Sequence, residues 1–323
     1  MRSQDADPAA LAANAIGDDP PPSGLRISAP TASGGAMPPC FSPSRAARRP
    51  WLLPAEPTAV PGVAADQAQV GDLILRAASV IGVGHRCDQP VRVRQDAYRV
   101  AQDLGGRHLI LAVADGMSDS ARAELGAQLA VASAVALVRR ELDAGAAPES
   151  LLVQPLLTRV AGAMLTEAQR RGIPADDVRT TLAVAVIPTT ADAGSPRRGW
   201  AAHVGDTSVW LSTGGAWKAL SINEKDDFDG SALSSYLPHR PSTAKAFVFA
   251  LPEQSVLLLA TDGVADAFSE IEGASAWFAA RWKEPPALAS FLLDVDFEAK
   301  GCQDDRTAVA IWCRSASGEG RPA

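Results

Sequence analysis

Four short segments, each with an aspartate at one end of a hydrophobic run, most constrain how this chain folds. They are residues 94–97, 112–117, 259–264 and 303–307, which carry Asp96, Asp115, Asp262 and Asp304-Asp305. Carboxylates so placed lie at strand ends, where several strands can bring them to one point. Oxygen ligands of this kind suit hard divalent cations such as Mg²⁺ and Mn²⁺. Because two such ions can activate a water against a phosphoester, the segments predict metal-dependent phosphatase chemistry.

The composition is that of an acidic globular protein. Of 323 residues, 47% are hydrophobic and 21% are charged, which suits one large domain or two modest ones. The net charge of −7 and the pI near 5.2 argue against nucleic acid as a partner, because phosphate backbones are bound by clustered Lys and Arg. No apolar stretch approaches the ~20 residues of a membrane span, so none is predicted.

The cysteines and the N-terminus favour a cytoplasmic location. Cys40, Cys87, Cys302 and Cys313 show neither the spacing of a zinc site nor that of a secreted disulfide framework, so reduced thiols are expected. The first residues lack the basic start and apolar core of a signal peptide.

Proline marks off the start of the chain. The first 61 residues hold 12 of its 24 prolines, and such a segment buries too little apolar surface to offset its conformational entropy. We therefore predict a disordered arm over residues 1–68, a phosphatase-like domain over 69–315 and a flexible tail over 316–323. Within the arm, Trp51-Leu52-Leu53 either docks as an apolar anchor or has no partner.

From residue 73 onward the hydrophobic periodicity switches between strand and helix patterns. Strands are predicted at 73–82, 98–102, 108–114, 181–187, 200–204, 208–211, 245–250, 255–261 and 307–312, and helices at 121–142, 149–172, 274–283 and 286–299. Residues 222–243 are polar and rich in Asp, Ser and Pro, which is typical of a long functional loop. Strands in runs and helices in pairs favour two packed sheets with helices outside.

Six short motifs follow one another in an order that resembles the PP2C (PPM) family of metal-dependent Ser/Thr protein phosphatases. They are Gln95-Asp96, Asp115-Gly116-Met117, Arg179-Thr180-Thr181, Gly205-Asp206-Thr207, Thr261-Asp262-Gly263 and Asp304-Asp305-Arg306-Thr307. The resemblance extends over roughly residues 76–313. Within the family, the opening Gly82-Val83-Gly84-His85 and the Gln95-Asp96 pair are similar to a bacterial branch. The resemblance implies an α+β fold, a four-layer αββα sandwich whose two central, mostly antiparallel sheets are flanked by helix pairs.

The resemblance also implies a site for two Mn²⁺ or Mg²⁺ ions. Asp115 would bridge the ions, and the carbonyl of Gly116 would complete one coordination shell. Asp262 and Asp304 would bind the first ion, and Asp96 would act in the first acidic segment. Taken singly, the Asp-Gly pairs are also typical of turns after strands. As a set, the aspartates would repel one another strongly without cations.

Four sites in the sequence extend or depart from the family pattern. Asp206 lies where some bacterial relatives hold a third, weaker metal, although Gly205-Asp206 is also typical of a hairpin turn. Gln95 stands where the family has Glu, and Ser118-Asp119 replaces a Gly-Gly pair. Asp305 takes the place of an Asn.

Two further residues are candidates for catalysis. Arg86 is the preferred phosphate-binding arginine, with Arg92 and Arg94 as alternatives, because a planar guanidinium can contact phosphate with two hydrogen bonds. His85 is a candidate acid for the leaving alkoxide, a role that Met117 cannot fill. Otherwise His85 caps a loop or lies in the core.

Two classes of function follow. The first is an active phosphatase acting on phosphoserine or phosphothreonine, with a bacterial Ser/Thr kinase or its targets as partners. The second is a catalytically weak, phosphoprotein-binding scaffold, which Gln95 and the missing Gly-Gly favour. A small-molecule phosphohydrolase or a nuclease is disfavoured by the acidic composition and by the lack of a nucleotide-binding loop.

Overall fold

Two antiparallel sheets form the centre of the protein, whose computed structural model describes residues 37–44, 60–88, 91–191, 195–221 and 234–314. The strands are β1 Val63–Val70, β2 Leu73–Val80, β3 Ala97–Gln102, β4 His108–Ala114, β5 Leu182–Pro188, β6 Arg197–Val204, β7 Ser208–Thr213, β8 Ala216–Ala219, β9 Lys245–Leu251, β10 Val256–Ala260 and β11 Arg306–Cys313. The six-stranded sheet has the order β1-β2-β11-β10-β7-β8, and the five-stranded sheet has the order β3-β4-β5-β6-β9.

Helices cover the outer face of each sheet. They are α1 Val83–Cys87, α2 Ala123–Asp143, α3 Val153–Arg170, α4 Asp262–Glu270, α5 Ala274–Arg281 and α6 Leu288–Val295. The long helices α2 and α3 share a hydrophobic core with the five-stranded sheet. The shorter α4, α5 and α6 share another with the six-stranded sheet. The four layers confirm the predicted αββα sandwich.

Strand β4 shows why the sequences of the central strands are apolar at almost every position. Its side chains alternate between two cores, as expected for a strand with both faces buried. Those facing the other sheet are Leu109, Leu111 and Val113, and those facing the helices are Ile110, Ala112 and Ala114.

The strand register brings the predicted metal-binding loops to one edge of the sandwich. The start of β3 pairs with the end of β4, and the start of β11 pairs with the end of β2. The end of β10 lies beside the start of β11 on one side and the start of β7 on the other. The loops at these strand ends carry the aspartates.

The prediction of a disordered arm over residues 1–68 is wrong for residues 63–68, because an edge strand occupies them. Strand β1 pairs with β2 along its whole length, from Val63↔Val80 to Val70↔Leu73. Its sequence is polar and shows no apolar alternation, because its side chains are mostly exposed. Backbone pairing with β2 holds the strand in the sheet.

The arm prediction is also wrong for the segment around Phe41. This side chain is fully buried. The centre of its ring lies 5.4 Å from the ring centre of Trp277 and 5.7 Å from that of Phe297. The backbone N–H of Phe41 donates to the carbonyl of Glu298 at 2.9 Å, and the N–H of Glu298 donates to the carbonyl of Pro39 at 2.7 Å. The burial of one aromatic ring in a proline-rich segment cannot be predicted from amino-acid composition.

Two predictions concern residues outside those that the structure describes. These are the docking of Trp51-Leu52-Leu53 and the flexible tail over 316–323.

Two further elements differ from the prediction. Helix α4 was not predicted, and it begins at Asp262 itself. The short strand β8 was not predicted, because only Trp217 in it is apolar and large. Part of the predicted loop over 222–243 is described, namely residues 234–243. Among the described residues, none of the helices combines the length and apolarity that a membrane span needs.

Candidate metal centre

Five aspartates from five separate segments, namely four loops and the first turn of α4, meet at one edge of the sandwich. Burial raises the pKa of Asp115 well above its usual range, and the charges of Asp96, Asp262, Asp304 and Asp206 raise it further. Such mutual effects require the carboxylates to be close together. The strand register places all five aspartates that the sequence predicted as metal ligands at this same edge.

The electrostatics of this aspartate cluster are unfavourable without a cation. Burial raises the pKa of Asp262 to about 7, with further contributions from the charges of Asp206 and Asp304. Burial also raises the pKa of Asp96 well above its usual range, and the charges of Asp305 and Asp304 add to the effect. The cluster therefore resists full ionisation unless positive charge is supplied.

Buried oxygen atoms without hydrogen-bond partners indicate that bound cations supply this positive charge. Among the described residues, Gln95 Oε1, Asp96 Oδ1 and Asp262 Oδ1 are buried and accept no hydrogen bond. Buried polar atoms are otherwise nearly always paired. A set of carboxylate and amide oxygens is the donor set that Mg²⁺ and Mn²⁺ prefer. The residues present therefore fit divalent cations.

Threonines from the sequence motifs hold the aspartates in place. Thr261 Oγ1 donates to Asp96 Oδ2 at 2.8 Å and accepts from the backbone N–H of Thr307 at 3.0 Å. Thr180 Oγ1 donates to the backbone carbonyl of Asp115 at 2.6 Å, and Thr181 Oγ1 accepts from the Asp115 N–H at 3.2 Å. The sequence singled out these threonines as motif residues without a role.

The loop after Asp115 passes closely under helix α2. Gly116 forms an isolated β-bridge with Thr180, and a Cβ on Gly116 would lie 2.5 Å from the carbonyl oxygen of Ala123. Only glycine permits this approach. The loop is thereby fixed beside the cluster, which is where a Gly116 carbonyl ligand needs to be.

Asp305 joins the segment between β2 and β3 to the start of β11. Its carboxylate is almost fully buried. Oδ1 accepts from the backbone N–H of Gly82 at 2.6 Å and lies 2.9 Å from His85 Nδ1. Oδ2 accepts from the N–H of Gln95 at 2.5 Å. Sequence reasoning treated Asp305 only as a substitute for Asn, and missed this positioning role.

His85 lies at the border of the aspartate cluster. The residue is only 8% exposed, and its Nε2 lies 3.8 Å from Asp304 Oδ1 and 3.5 Å from Ser118 Oγ. Burial lowers the pKa of His85, but the hydrogen bond and charge of Asp305 outweigh burial, so the net pKa is raised.

Of the three candidate arginines, only Arg92 combines exposure with a contact to the site loops. Its side chain is 43% exposed and pairs with Asp88 at 3.0 Å. Arg92 Nη1 donates to the backbone carbonyl of Ser118 at 3.1 Å. The charge of Arg92 also lowers the pKa of His85, which shows that the two side chains are near each other.

Arg86 and Arg94 are both buried. Arg86 is only 7% exposed, and its charge lowers the pKa of Asp296. Arg94 donates to the backbone carbonyls of Asp96 at 2.9 Å and Pro61 at 3.1 Å. Arg94 is thus used to hold the segment that carries Asp96.

Arg179 connects the loop after Asp115 to the described end of the 222–243 loop. Its Nη2 pairs with Asp119 Oδ2 at 3.0 Å, and its guanidinium lies 5.9 Å from the centre of the Tyr236 ring. Its Nε donates to Ser120 Oγ at 3.1 Å. The extra carboxylate of Asp119 is therefore engaged by Arg179 at the surface.

The fold is an α+β sandwich with an acidic, oxygen-rich cluster at one sheet edge. The model of the protein phosphatase 2C family matches residues 82–287. The chain belongs to this family. No curated protein matches the sequence.

Solved structures show the same fold at low sequence identity. A serine/threonine phosphatase of S. agalactiae is 15% identical, with 75% of this chain and 100% of that chain covered and a TM-score of 0.54. PppA of Pseudomonas aeruginosa is 17% identical, with 75% and 98% covered and a TM-score of 0.50. RsbX in complex with magnesium is 16% identical, with 77% and 98% covered and a TM-score of 0.50.

Proposed function

We propose that this protein is a metal-dependent phosphoprotein phosphatase that hydrolyses phosphoserine and phosphothreonine. The observation that carries the proposal is the aspartate cluster. Its members converge from separate loops, and two of them present buried oxygens without partners, at Asp96 Oδ1 and Asp262 Oδ1. Nothing in the packing of a sandwich requires so unfavourable a cluster.

The cluster has donors for two Mn²⁺ or Mg²⁺ ions. Asp115 would be shared between them, with Asp262 and Asp304 on one side, and Asp96 and the carbonyl of Gly116 completing the set. Asp206, which lies close enough to raise the pKa of Asp262, would hold a third, weaker ion. When bound, the ions supply positive charge to the phosphate and lower the pKa of a water.

We further propose that Arg92 binds the substrate phosphate, in place of the predicted Arg86. The exposed guanidinium of Arg92 is held beside the loop after Asp115 by its contact with Ser118. A planar guanidinium offers two parallel donors to a phosphate. Arg86 is buried, so it would have to leave its present packing before it could contact a substrate phosphate.

The substrate is proposed to be a phosphorylated protein, such as a Ser/Thr kinase or one of its targets, in a cytoplasmic signalling system. The end of the 222–243 loop supports a role in substrate contact. Leu237 and Thr180 exchange backbone hydrogen bonds of 2.8 and 3.0 Å, and Thr180 contacts Asp115 directly. The loop therefore returns to the body of the protein beside the cluster.

One observation favours a second candidate, a phosphoprotein-binding scaffold with weak activity. The amide oxygen of Gln95 is neutral and buried without a hydrogen-bond partner, at a position where the family pattern has a carboxylate. A neutral donor neutralises less of the charge of a divalent cation. On this alternative, one metal position is filled only at high metal concentration.

Hydrolysis of p-nitrophenyl phosphate by the full chain, titrated with Mn²⁺, tests the proposal. We expect turnover that requires Mn²⁺ and that falls at least 100-fold in Asp262→Asn. Glu270→Gln is the matched control, because it removes a carboxylate from the exposed end of the same helix, α4, and should keep full activity. A folded wild-type protein inactive at every Mn²⁺ concentration would favour the scaffold.

A further inference from the structure

We propose that His85 binds a metal ion through Nε2, beside Asp304, so that the oxygen-rich centre includes one nitrogen ligand. The proposal rests on the proposed metal-dependent function and concerns the composition of that centre. Its consequence is a preference for transition-metal ions such as Mn²⁺ over Mg²⁺, because Mg²⁺ favours oxygen ligands and imidazole favours transition metals.

The contact between His85 and Asp305 sets the tautomer of the imidazole. Asp305 already accepts the N–H groups of Gly82 and Gln95. With His85 Nδ1 2.9 Å from Asp305 Oδ1, the carboxylate accepts a third hydrogen bond when Nδ1 carries the proton. Nε2 then has a lone pair directed away from Asp305. Metal-binding histidines are commonly oriented by a carboxylate in this way.

The distance to Asp304 suits a shared ion. Two donors that each lie about 2.1 Å from one ion can be at most about 4.2 Å apart. His85 Nε2 and Asp304 Oδ1 are separated by 3.8 Å. The side chain of Asp304 is 44% exposed, so an ion can reach it from solvent. Asp305, whose oxygens are already engaged, serves as the orienting carboxylate.

The backbone holds His85 in this relation to Asp304. The N–H of Gly84 donates to the carbonyl of Gln303 at 2.8 Å. A Cβ on Gly82 would lie 2.2 Å from the carbonyl carbon of Asp304. The start of α1 and the segment before β11 are therefore in direct backbone contact, which only glycine allows.

A role as a metal ligand also gives a reason for the burial of His85 beside a cluster of oxygen donors. Its 8% exposure leaves little contact with water. Its Nε2 lies 3.5 Å from Ser118 Oγ and 3.8 Å from Asp304 Oδ1. Both distances are too long for good hydrogen bonds, so these contacts leave Nε2 able to bind an ion.

Pulsed electron paramagnetic resonance of the Mn²⁺-loaded full chain tests this ligand directly. We expect ¹⁴N modulation from a coordinated imidazole in the wild type and its loss in His85→Gln. His108→Gln is the matched control, since His108 Nδ1 contacts Asp103 at 3.0 Å in the same manner but lies at the start of β4, at the other end of that strand from Asp115. The control should keep the modulation.

A Mn²⁺ titration followed by the same resonance method measures the dissociation constant. It distinguishes failure of the nitrogen-ligand proposal from failure of the proposed function. We expect the Mn²⁺ dissociation constant to rise about tenfold or more in His85→Gln, with a smaller change for Mg²⁺ in competition. Bound Mn²⁺ without ¹⁴N modulation in the wild type overturns the nitrogen ligand and leaves the phosphatase proposal standing. A wild type that binds no Mn²⁺ overturns both. The wild-type spectrum decides even where His85→Gln fails to fold.

Discussion

The imidazole of His85 and the carboxylate of Asp305 lie 2.9 Å apart, although 220 residues separate them in the chain. This contact joins the loop after β2 to the loop before β11, and each loop borders the aspartate cluster. The same carboxylate also accepts the N–H of Gln95. Asp305 therefore stabilises the geometry of the site without being placed as a metal ligand.

Asp305→Asn should destabilise the protein measurably in the absence of metal. The amide NH₂ of Asn would face a backbone N–H that Asp305 now accepts, which leaves a buried donor unpaired and costs about 1–3 kcal/mol. Urea unfolding in EDTA measures the loss. Asp304→Asn is the control, because the half-exposed side chain can still accept the N–H of Asp305. Equal stability of Asp305→Asn and wild type would contradict the positioning role.

Asp262→Asn should remove most of the stabilisation that Mn²⁺ confers. At a Mn²⁺ concentration of about 100 times Kd, binding to the folded state adds about 2.7 kcal/mol to the free energy of unfolding of the wild type. In EDTA the variant should be at least as stable as the wild type. Burial and the charges of Asp206 and Asp304 raise the pKa of Asp262 to about 7, so its ionised form opposes folding without metal. Thermal unfolding with and without Mn²⁺ measures both effects, and an unchanged Mn²⁺ response would contradict the ligand assignment.

Phe41→Ala should lower the free energy of unfolding by about 3–5 kcal/mol, because it empties a site inside the aromatic cluster. The ring of Phe41 packs against those of Trp277, Phe278 and Phe297. Met37→Ala is the control in the same segment, since Met37 is 79% exposed and should change stability by less than about 0.5 kcal/mol. Equal effects of the two changes in urea unfolding would show that the segment is not docked in solution.

Arg92→Ala should weaken catalysis without weakening the fold. Loss of a charge-assisted hydrogen bond costs about 1.5–3 kcal/mol, which corresponds to roughly 10- to 150-fold in kcat/KM for a phosphopeptide. Arg86→Ala should instead lower stability, because Arg86 is buried. Steady-state kinetics and urea unfolding of both variants make the comparison. The reverse pattern would return the phosphate-binding role to Arg86.

The sequence predicted those parts of the fold that depend on local apolar patterning. The run from His108 to Ala114 is apolar on both faces because β4 lies between two cores. The aspartates could be named because each lies beside such a run. Their convergence is a consequence of antiparallel register, which follows once the strands are known.

What the sequence did not predict depends on contacts between distant segments. Strand β1 is held by backbone pairing and carries polar side chains. Phe41 gains its burial from helices and loops more than 200 residues away. The choice among the arginines depends on the five-residue helix α1, which turns Arg86 inward and leaves Arg92 at the surface.

The most direct measurement is phosphate release from a phosphothreonine peptide by the full chain, as a function of free Mn²⁺, with Asp115→Asn alongside. The aspartate cluster predicts release that is absent in EDTA, rises with Mn²⁺ and falls at least 100-fold in the variant. Release that persists in EDTA, or that Asp115→Asn leaves unchanged, would contradict a phosphatase site built on these aspartates.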